Sequence, residues 1–399
     1  MLLAAFGDPG HAFPMIALGR ELAARGHEVV LQTWQKWEEH VEREGMRFLR
    51  APEYQVFPTL ESPMKPYAAG VRAAKETQPL IRELDPEVVV ADILTVAAAL
   101  AAQAEERPWV TLVPHVIPWG EPSFPPYSVG AVRARTSLGA RLWALTRPVL
   151  MAGERQGRRE LNGARERIGL PPLDYVQGGM SRLLSLIATF PQLEYPREHP
   201  LPWARITGPL LWEQPFGDVE LPPGDDPLVL VAPSTSQDRE HRLLRATLEG
   251  LEDEPVRVLA STNRRSPGSP LRVPANAKLV DWVSYARTMP KCDAVICHAG
   301  HGTLARALVS GVPVVACPAE GDMAENAARI RWAGVGVSLP RRLQTPRGVR
   351  LALRRLLADP QYAARARGLG EWAARNDGAA AAADAVEGLA GANVRFSHL

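Results

Sequence analysis

The chain has 399 residues, 46% of them hydrophobic and 23% charged, with a formal net charge of +2. That length predicts two domains of roughly 200 residues, each able to bury its own core, and an even charge with no basic block argues against a nucleic-acid partner. The apolar start, residues 1–6, is too short for a signal peptide, and no segment reaches the ~18 uninterrupted apolar residues of a membrane span.

In chain order, residues 1–6 read as a first strand and 7–11 as a tight turn. Pro14 suits the first turn of a helix that runs to Ala24 and stops at Gly26. A strand at 28–33, a helix at 34–44 and a strand from Arg47 follow, then a loop over 52–66 carrying Tyr54, Phe57 and Met64. A helix over 67–84 leads to a buried strand, 88–92, that ends in the carboxylate of Asp92; a helix at 95–105 and a strand at 109–113 come next. Residues 117–127, IPWGEPSFPPY, cannot be regular structure. A long helical segment over 129–168, broken near Pro148, and a strand at 185–189 close the first half. Residues 191–226, rich in proline, read as the linker.

Beyond it the alternation restarts, with strands at 228–232, 256–260, 278–280, 293–297, 312–317 and 335–339 and helices at 238–251, 304–310, 345–358 and onward to about 390. Strands alternating with helices predict a doubly wound parallel sheet in each half, and hence two Rossmann-like α/β domains facing a cleft. Ligands of such sheets lie beyond the carboxyl ends of the strands. His11, Asp92 and His115 stand at such ends in the first half, and Ser234, Ser261 and His298 in the second.

The segment around His298, Gly300, Gly302 and Thr303 is a strand, a small Gly-rich turn and a helix, a geometry that presents backbone N–H groups and the positive helix end to an anion. The glycines let the backbone approach a phosphate, Thr303 offers a hydroxyl and His298 an imidazole N–H; an ordinary strand–turn–helix in which glycine only relieves crowding fits the same residues. In the first half a neutral His11 could take a proton from a bound substrate, with Asp92 to orient it. The plain alternative is a polar turn residue and a helix N-cap. Ser234, Thr235 and Ser236 supply hydroxyls to the same cleft, or cap a helix. Trp282 could stack on a nucleobase, or simply pack.

Metal-binding and hydrolase signatures are missing. There is no HExxH and no DxD-type pair, no GxSxG elbow, and GHGT lacks the lysine of a P-loop. The three cysteines, Cys292, Cys297 and Cys317, form no CxxC pair and fit reduced core thiols of a cytoplasmic protein.

Four segments, in order across both halves, carry a resemblance: GDPGHAFPMIALGRELAARGHEV, STSQ, WVSYARTMPKCDAVICHAGHGT and SGVPVVACPAEGDMAENAARI. Together they resemble the family-1 nucleotide-sugar glycosyltransferases of GT-B fold, most of all the bacterial branch acting on macrolides, enediynes and other natural products. The resemblance implies an acceptor-binding domain at 1–205, a nucleotide-sugar-binding domain at 206–378 and a helix at 379–399 that crosses back onto the first domain. It implies His11 as catalytic base with Asp92 as its support, in an inverting displacement that needs no metal and no resident cofactor. A TDP- or UDP-sugar is the co-substrate. His298, Gly300, Gly302 and Thr303 would hold the diphosphate with Ser234–Ser236, Trp282 and Val283 the base, and Asp322 with Met323 the sugar.

Three departures from the family pattern bear on the donor. Arg306 stands where plant relatives place a ribose-binding glutamate, which makes a deoxyribose donor acceptable. Met323 replaces the usual glutamine, which suits a deoxysugar better than glucose. Ser284-Tyr285 replaces a Pro-Gln pair in the base-binding loop. Phe57, Trp119, Phe124 and Tyr127, on long first-half loops, suggest a hydrophobic small-molecule acceptor. The protein is expected to be a monomer or homodimer with no membrane span. A nucleotide-sugar 2-epimerase and a catalytically silent auxiliary subunit share this fold and stay open as alternatives.

Overall fold

The computed structural model describes residues 1–52, 68–176, 179–234, 238, 240–319 and 321–391. Among these described residues thirteen strands form two sheets. The first holds β1 (Leu2–Ala4), β2 (Val30–Thr33), β3 (Arg47–Arg50), β4 (Val89–Asp92), β5 (Trp109–Val113), β6 (Ser185–Ile187) and β7 (Ala204–Ile206). The second holds β8 (Leu228–Ala232), β9 (Arg257–Ser261), β10 (Ala277–Val280), β11 (Ala294–Cys297), β12 (Val314–Ala316) and β13 (Gly336–Ser338). Their orders are β3-β2-β1-β4-β5-β6-β7 and β10-β9-β8-β11-β12-β13, with every pairing parallel. Helices cover both faces, which is why the central strands are apolar runs rather than alternating ones. Leu3, Leu31 and Val90 lie under one face of the first sheet and Leu2, Val89 and Ala91 under the other. Each large side chain so buried stabilises the fold by about 1.5–3 kcal/mol.

Strand order reverses between β1 and β4 in the first sheet and between β8 and β11 in the second. Ala4 pairs with Ala91, and Ala232 with Cys297, so the residues just beyond these positions leave their sheets side by side. These are the two crevices in which such sheets hold ligands.

Several elements differ from the sequence reading. The first helix is Pro9–Ala24, with Pro9 in its first turn and Pro14 in its interior, so His11 lies inside the helix rather than in the turn before it. Proline needs no N–H partner at a helix start, and that lets the helix begin early. The linker starts after β7, an edge strand of mostly exposed residues hidden in the proline-rich stretch. The long helical segment divides into Ser137–Ala144 and Arg147–Glu166 because Pro148 has no N–H to give the Ala144 carbonyl.

Two contacts stand out among those that tie the halves together. The C-terminal helix Gly378–Ala390 returns to the first sheet's core, where Ala382, Ala383 and Val386 join Met15, Leu18 and Leu22. Arg25 pairs with Asp384 and Glu387 at 2.7 Å each on its rim. Gly378 is needed there, since a Cβ would meet the Pro209 carbonyl at 2.5 Å. The second contact is buried: Arg329, on helix Met323–Ala333, bridges Glu325 at 2.7 Å and Glu194 of the first half at 3.0 Å, with its guanidinium 3.6 Å from the Tyr195 ring centre. The Glu194 carboxylate also accepts from Ile117 N at 2.7 Å, and that of Glu325 from Ser128 N at 3.3 Å. Among the described residues no helix is long and apolar enough to cross a membrane.

Candidate active site

His11 and Asp92 reach each other because β1 and β4 are neighbours. The His11 Nδ1 lies 2.7 Å from Asp92 Oδ1. The other carboxylate oxygen accepts from Leu94 N at 3.2 Å, Thr95 Oγ1 at 3.3 Å and Phe6 N at 3.5 Å, so the buried carboxylate is held on every side. An acceptor at Nδ1 assigns the proton there and leaves Nε2 with its lone pair. The imidazole keeps 18% of its surface open. Burial works against its charge, but attraction to Asp92 and the hydrogen bond to it prevail, with Asp322 and Asp8 adding, and His11 stands above its ordinary pKa.

Across the cleft, Cys297 ends β11 and the chain turns through His298, Ala299 and Gly300 into helix His301–Val309. The left-handed residue of the turn is Ala299, at φ 64°, not a glycine. The Asn326 amide donates to its carbonyl at 3.1 Å. Gly300 is required for a different reason: a Cβ there would stand 2.3 Å from His298 Nε2. Gly302 has open space around its Cα and is exposed at the helix's start. His298 Nδ1–H donates to the Ala232 carbonyl at 3.2 Å, and burial lowers the imidazole's pKa despite that bond and the nearby carboxylates of Asp322 and Asp238. Thr303 faces the hydroxyl of Tyr285, which also faces Asn263.

Asp322 links the two sides. It precedes helix Met323–Ala333, accepts from Asn326 Nδ2 at 3.3 Å, and is near enough to raise His11, His115, His298 and His301 electrostatically. The sequence reading passed over His301. Its Nε2 meets the Ala188 carbonyl of the first domain at 3.2 Å, and burial with the neighbouring His115 drives it down to about 4. Only the second histidine of HAGHG signals it in sequence, and that signal says nothing of which domain it faces.

The remaining predicted residues fall in several environments. Met323 is 8% exposed and packs in the second domain's core, so Asp322 is the member of that pair left at the cleft. The Val283 side chain is core as well. Trp282 is half-buried with the Arg264 guanidinium 4.7 Å from its ring centre, so one ring face already has a cation on it. Ser234 is buried at the end of β8; Thr235 and Ser236 lie outside the described residues, as does Phe57. Phe124 is 4% exposed, against the edge of Tyr195 and between Arg133 and Arg197, so its ring is committed to packing rather than open to a ligand. Trp119 packs on Trp203 and Tyr175. Tyr127 is the aromatic at the cleft, with its hydroxyl 3.3 Å from His115 Nδ1 and its ring against the second domain's core. Burial, with Asp322 and Glu325 nearby, keeps that phenol un-ionised. Among the described residues no three His, Cys, Asp or Glu side chains are grouped to hold a metal. All three cysteines are buried and free.

Residues 1–111 match the glycosyltransferase family 28 N-terminal domain, and residues 245–387 match the C-terminal domain of the family described as erythromycin biosynthesis protein CIII-like. The chain is 28% identical to 4'-demethylrebeccamycin synthase of Lentzea aerocolonigenes, over 98% of this chain and 99% of that protein. It is also 28% identical to O-mycaminosyltylonolide 6-deoxyallosyltransferase of Streptomyces fradiae, over 94% of each. The solved glycotransferase of kitacinnamycin superposes with a TM-score of 0.75 at 22% identity, over 97% of this chain and 98% of that one. Fold and matches together define the class: the protein is a glycosyltransferase with the GT-B architecture. Within that class the chain is similar to the family 28 and erythromycin CIII-like glycosyltransferases over the residues given above.

Proposed function

We propose that the protein transfers a sugar, a deoxysugar or a hexose, from a TDP- or UDP-sugar to a hydroxyl of a hydrophobic natural-product acceptor, with inversion. The observation that carries this reading is His11, bonded to Asp92 and open at Nε2, across the cleft from the His298–Thr303 turn, with Asp322 in electrostatic reach of both. In the reaction His11 Nε2 takes the acceptor's hydroxyl proton and the oxygen forms a bond to the anomeric carbon. The bond from that carbon to the diphosphate breaks, and its electron pair leaves on the phosphate oxygen. Asp92 stabilises the imidazolium that forms. The helix start at His301, with the Thr303 hydroxyl and His298, meets the diphosphate charge in place of a metal. Asp322 accepts from sugar hydroxyls. Tyr127 lies beside the acceptor.

A deoxysugar is supported by the relative from Streptomyces fradiae, which is by name a deoxyallosyltransferase. The test incubates purified protein with TDP- and UDP-sugars in EDTA, with and without phenolic and macrolide acceptors, followed by mass spectrometry and NMR of the anomeric centre. Acceptor-dependent release of nucleoside diphosphate with an inverted product is expected. Sugar isomerisation without acceptor, or nucleotide binding without turnover, would overturn the reading.

A further inference from the structure

The first domain carries an apolar face that none of the described residues covers. Leu138, Leu142 and Leu145 follow one another at spacings of four and three, the repeat of one helical face, Val149 stands in the first turn of the next helix, and the four are 68%, 58%, 75% and 77% exposed. The flanking Val129 and Met151 are exposed too. None of the residues of helix Ser137–Ala144 is buried, although the helix is well formed, with the Thr136 hydroxyl accepting from Gly139 N at 3.2 Å. The following helix, Arg147–Glu166, is anchored only in its C-terminal half, through Leu161, Ala164 and Arg165. A soluble protein rarely leaves four neighbouring large aliphatics in water.

Charge decides what covers them. From 131 to 159 the chain carries seven arginines against one carboxylate, Glu154, in a protein whose total is nearly balanced. Among the described residues Arg141, Arg147, Arg155 and Arg159 make no ion pair. A second copy of this face would oppose arginine to arginine. An anionic lipid surface accepts both features at once, the aliphatics entering the acyl boundary and the guanidiniums lying on the phosphates. We propose that this segment docks the acceptor-side domain on an anionic membrane surface, lying in the interface without crossing it.

The test is flotation of the full chain with vesicles of phosphatidylcholine alone and with vesicles in which about a third of the lipid is phosphatidylglycerol. Binding to the anionic vesicles alone is expected, weakening about tenfold or more when NaCl rises from about 0.1 M to about 0.5 M. Leu142→Glu with Val149→Glu should abolish it, and Arg141→Glu with Arg159→Glu should weaken it by at least about tenfold. These side chains are exposed, so melting temperatures and transfer to a water-soluble acceptor without vesicles should stay at wild-type values. That second measurement keeps a failure of docking apart from a failure of the proposed chemistry. No flotation with anionic vesicles, or equal flotation with neutral ones, would sink the proposal. So would a wild-type dimer in sedimentation velocity that Leu142→Glu dissociates, which would make the face a self-association surface.

Discussion

Gly300 and His298 share one volume: the imidazole Nε2 lies 2.3 Å from where a Cβ on residue 300 would stand. Gly300→Ala must therefore push the His298 ring off its bond to the Ala232 carbonyl, while the backbone of residue 300, at φ −62°, tolerates alanine. Under the proposed function this substitution should weaken nucleotide-sugar binding about 10–100-fold, the worth of a hydrogen bond to a charged group, and His298→Ala should do the same. Isothermal titration calorimetry reads both. Wild-type affinity in Gly300→Ala would show that the imidazole does not hold the diphosphate.

The same ring predicts a proton uptake. With Nδ1–H given to Ala232 and its pKa lowered by burial, His298 is neutral when the site is empty and its Nε2 has no proton to donate. A diphosphate placed against Nε2 raises that pKa, so binding takes up a proton and tightens as pH falls toward the ordinary histidine value of about 6.5. A nucleotide sugar is the right probe, because its diphosphate does not itself titrate near neutrality. Binding heats should vary with the ionisation enthalpy of the buffer. Heats independent of buffer would contradict the assignment.

For the base, the sign runs the other way. His11 sits above its ordinary value, so the acidic limb of kcat/KM should lie above pH ~6.5 and activity should rise as pH climbs through it. Asp92→Asn removes the attraction and leaves burial to dominate, which moves that limb below ~6.5 and lowers the plateau about 10²-fold or more; His11→Ala should cost 10²–10⁴-fold, roughly, with donor binding retained. Stability carries the mirrored dependence. The His11–Asp92 pair stabilises the fold fully below the unfolded value of ~6.5, and that contribution is lost as pH rises through the raised folded value. A pH–rate profile that Asp92→Asn leaves in place would remove Asp92 from this role.

What was legible in the sequence follows the physics of each element. The bounds of β5 and β8 read directly because both are unbroken apolar runs buried on both faces. β7 was hidden because three mostly exposed residues at a sheet edge, among prolines, carry no apolar signature. His11 and Asp92 were visible as polar residues at strand ends, and the strand order then brought them together. The left-handed residue of the turn carried no signal, since Ala299, with its Cβ, takes the positive φ. Arg329 gave no signal: an i,i+4 pair with Glu325 reads as a solvated helix face, and its partner Glu194 lies 135 positions away.

Arg306 is half-buried, its charge disfavoured by burial and supported by Glu213 from the linker, with Arg20 also near. A cation rather than a carboxylate at this position cannot accept hydrogen bonds from ribose hydroxyls. Competition between TDP- and UDP-sugars should favour the deoxyribose donor, and Arg306→Glu should shift the ratio toward UDP by about tenfold, one charge-assisted hydrogen bond's worth. A strong UDP preference in the wild type would undo this argument.

Arg329 joins the helix that begins beside Asp322 to the loop chain of the first domain, through Glu194, whose other oxygen holds Ile117 at the start of the 117–127 loop. Arg329→Met leaves two buried carboxylates facing each other without their cation, and should destabilise the protein by about 3–5 kcal/mol, read as a drop in melting temperature. Glu194→Gln is milder, since an amide can still accept from Arg329 and Ile117, and it separates folding from function. If the bridge sets the distance between acceptor loop and sugar site, Glu194→Gln should lower kcat several-fold at nearly unchanged donor KM, with Arg329→Lys recovering only part of the rate, because an ammonium cannot reproduce the forked geometry. Equal kcat in Glu194→Gln and wild type, alongside a lowered melting temperature, would reduce the bridge to a structural tie.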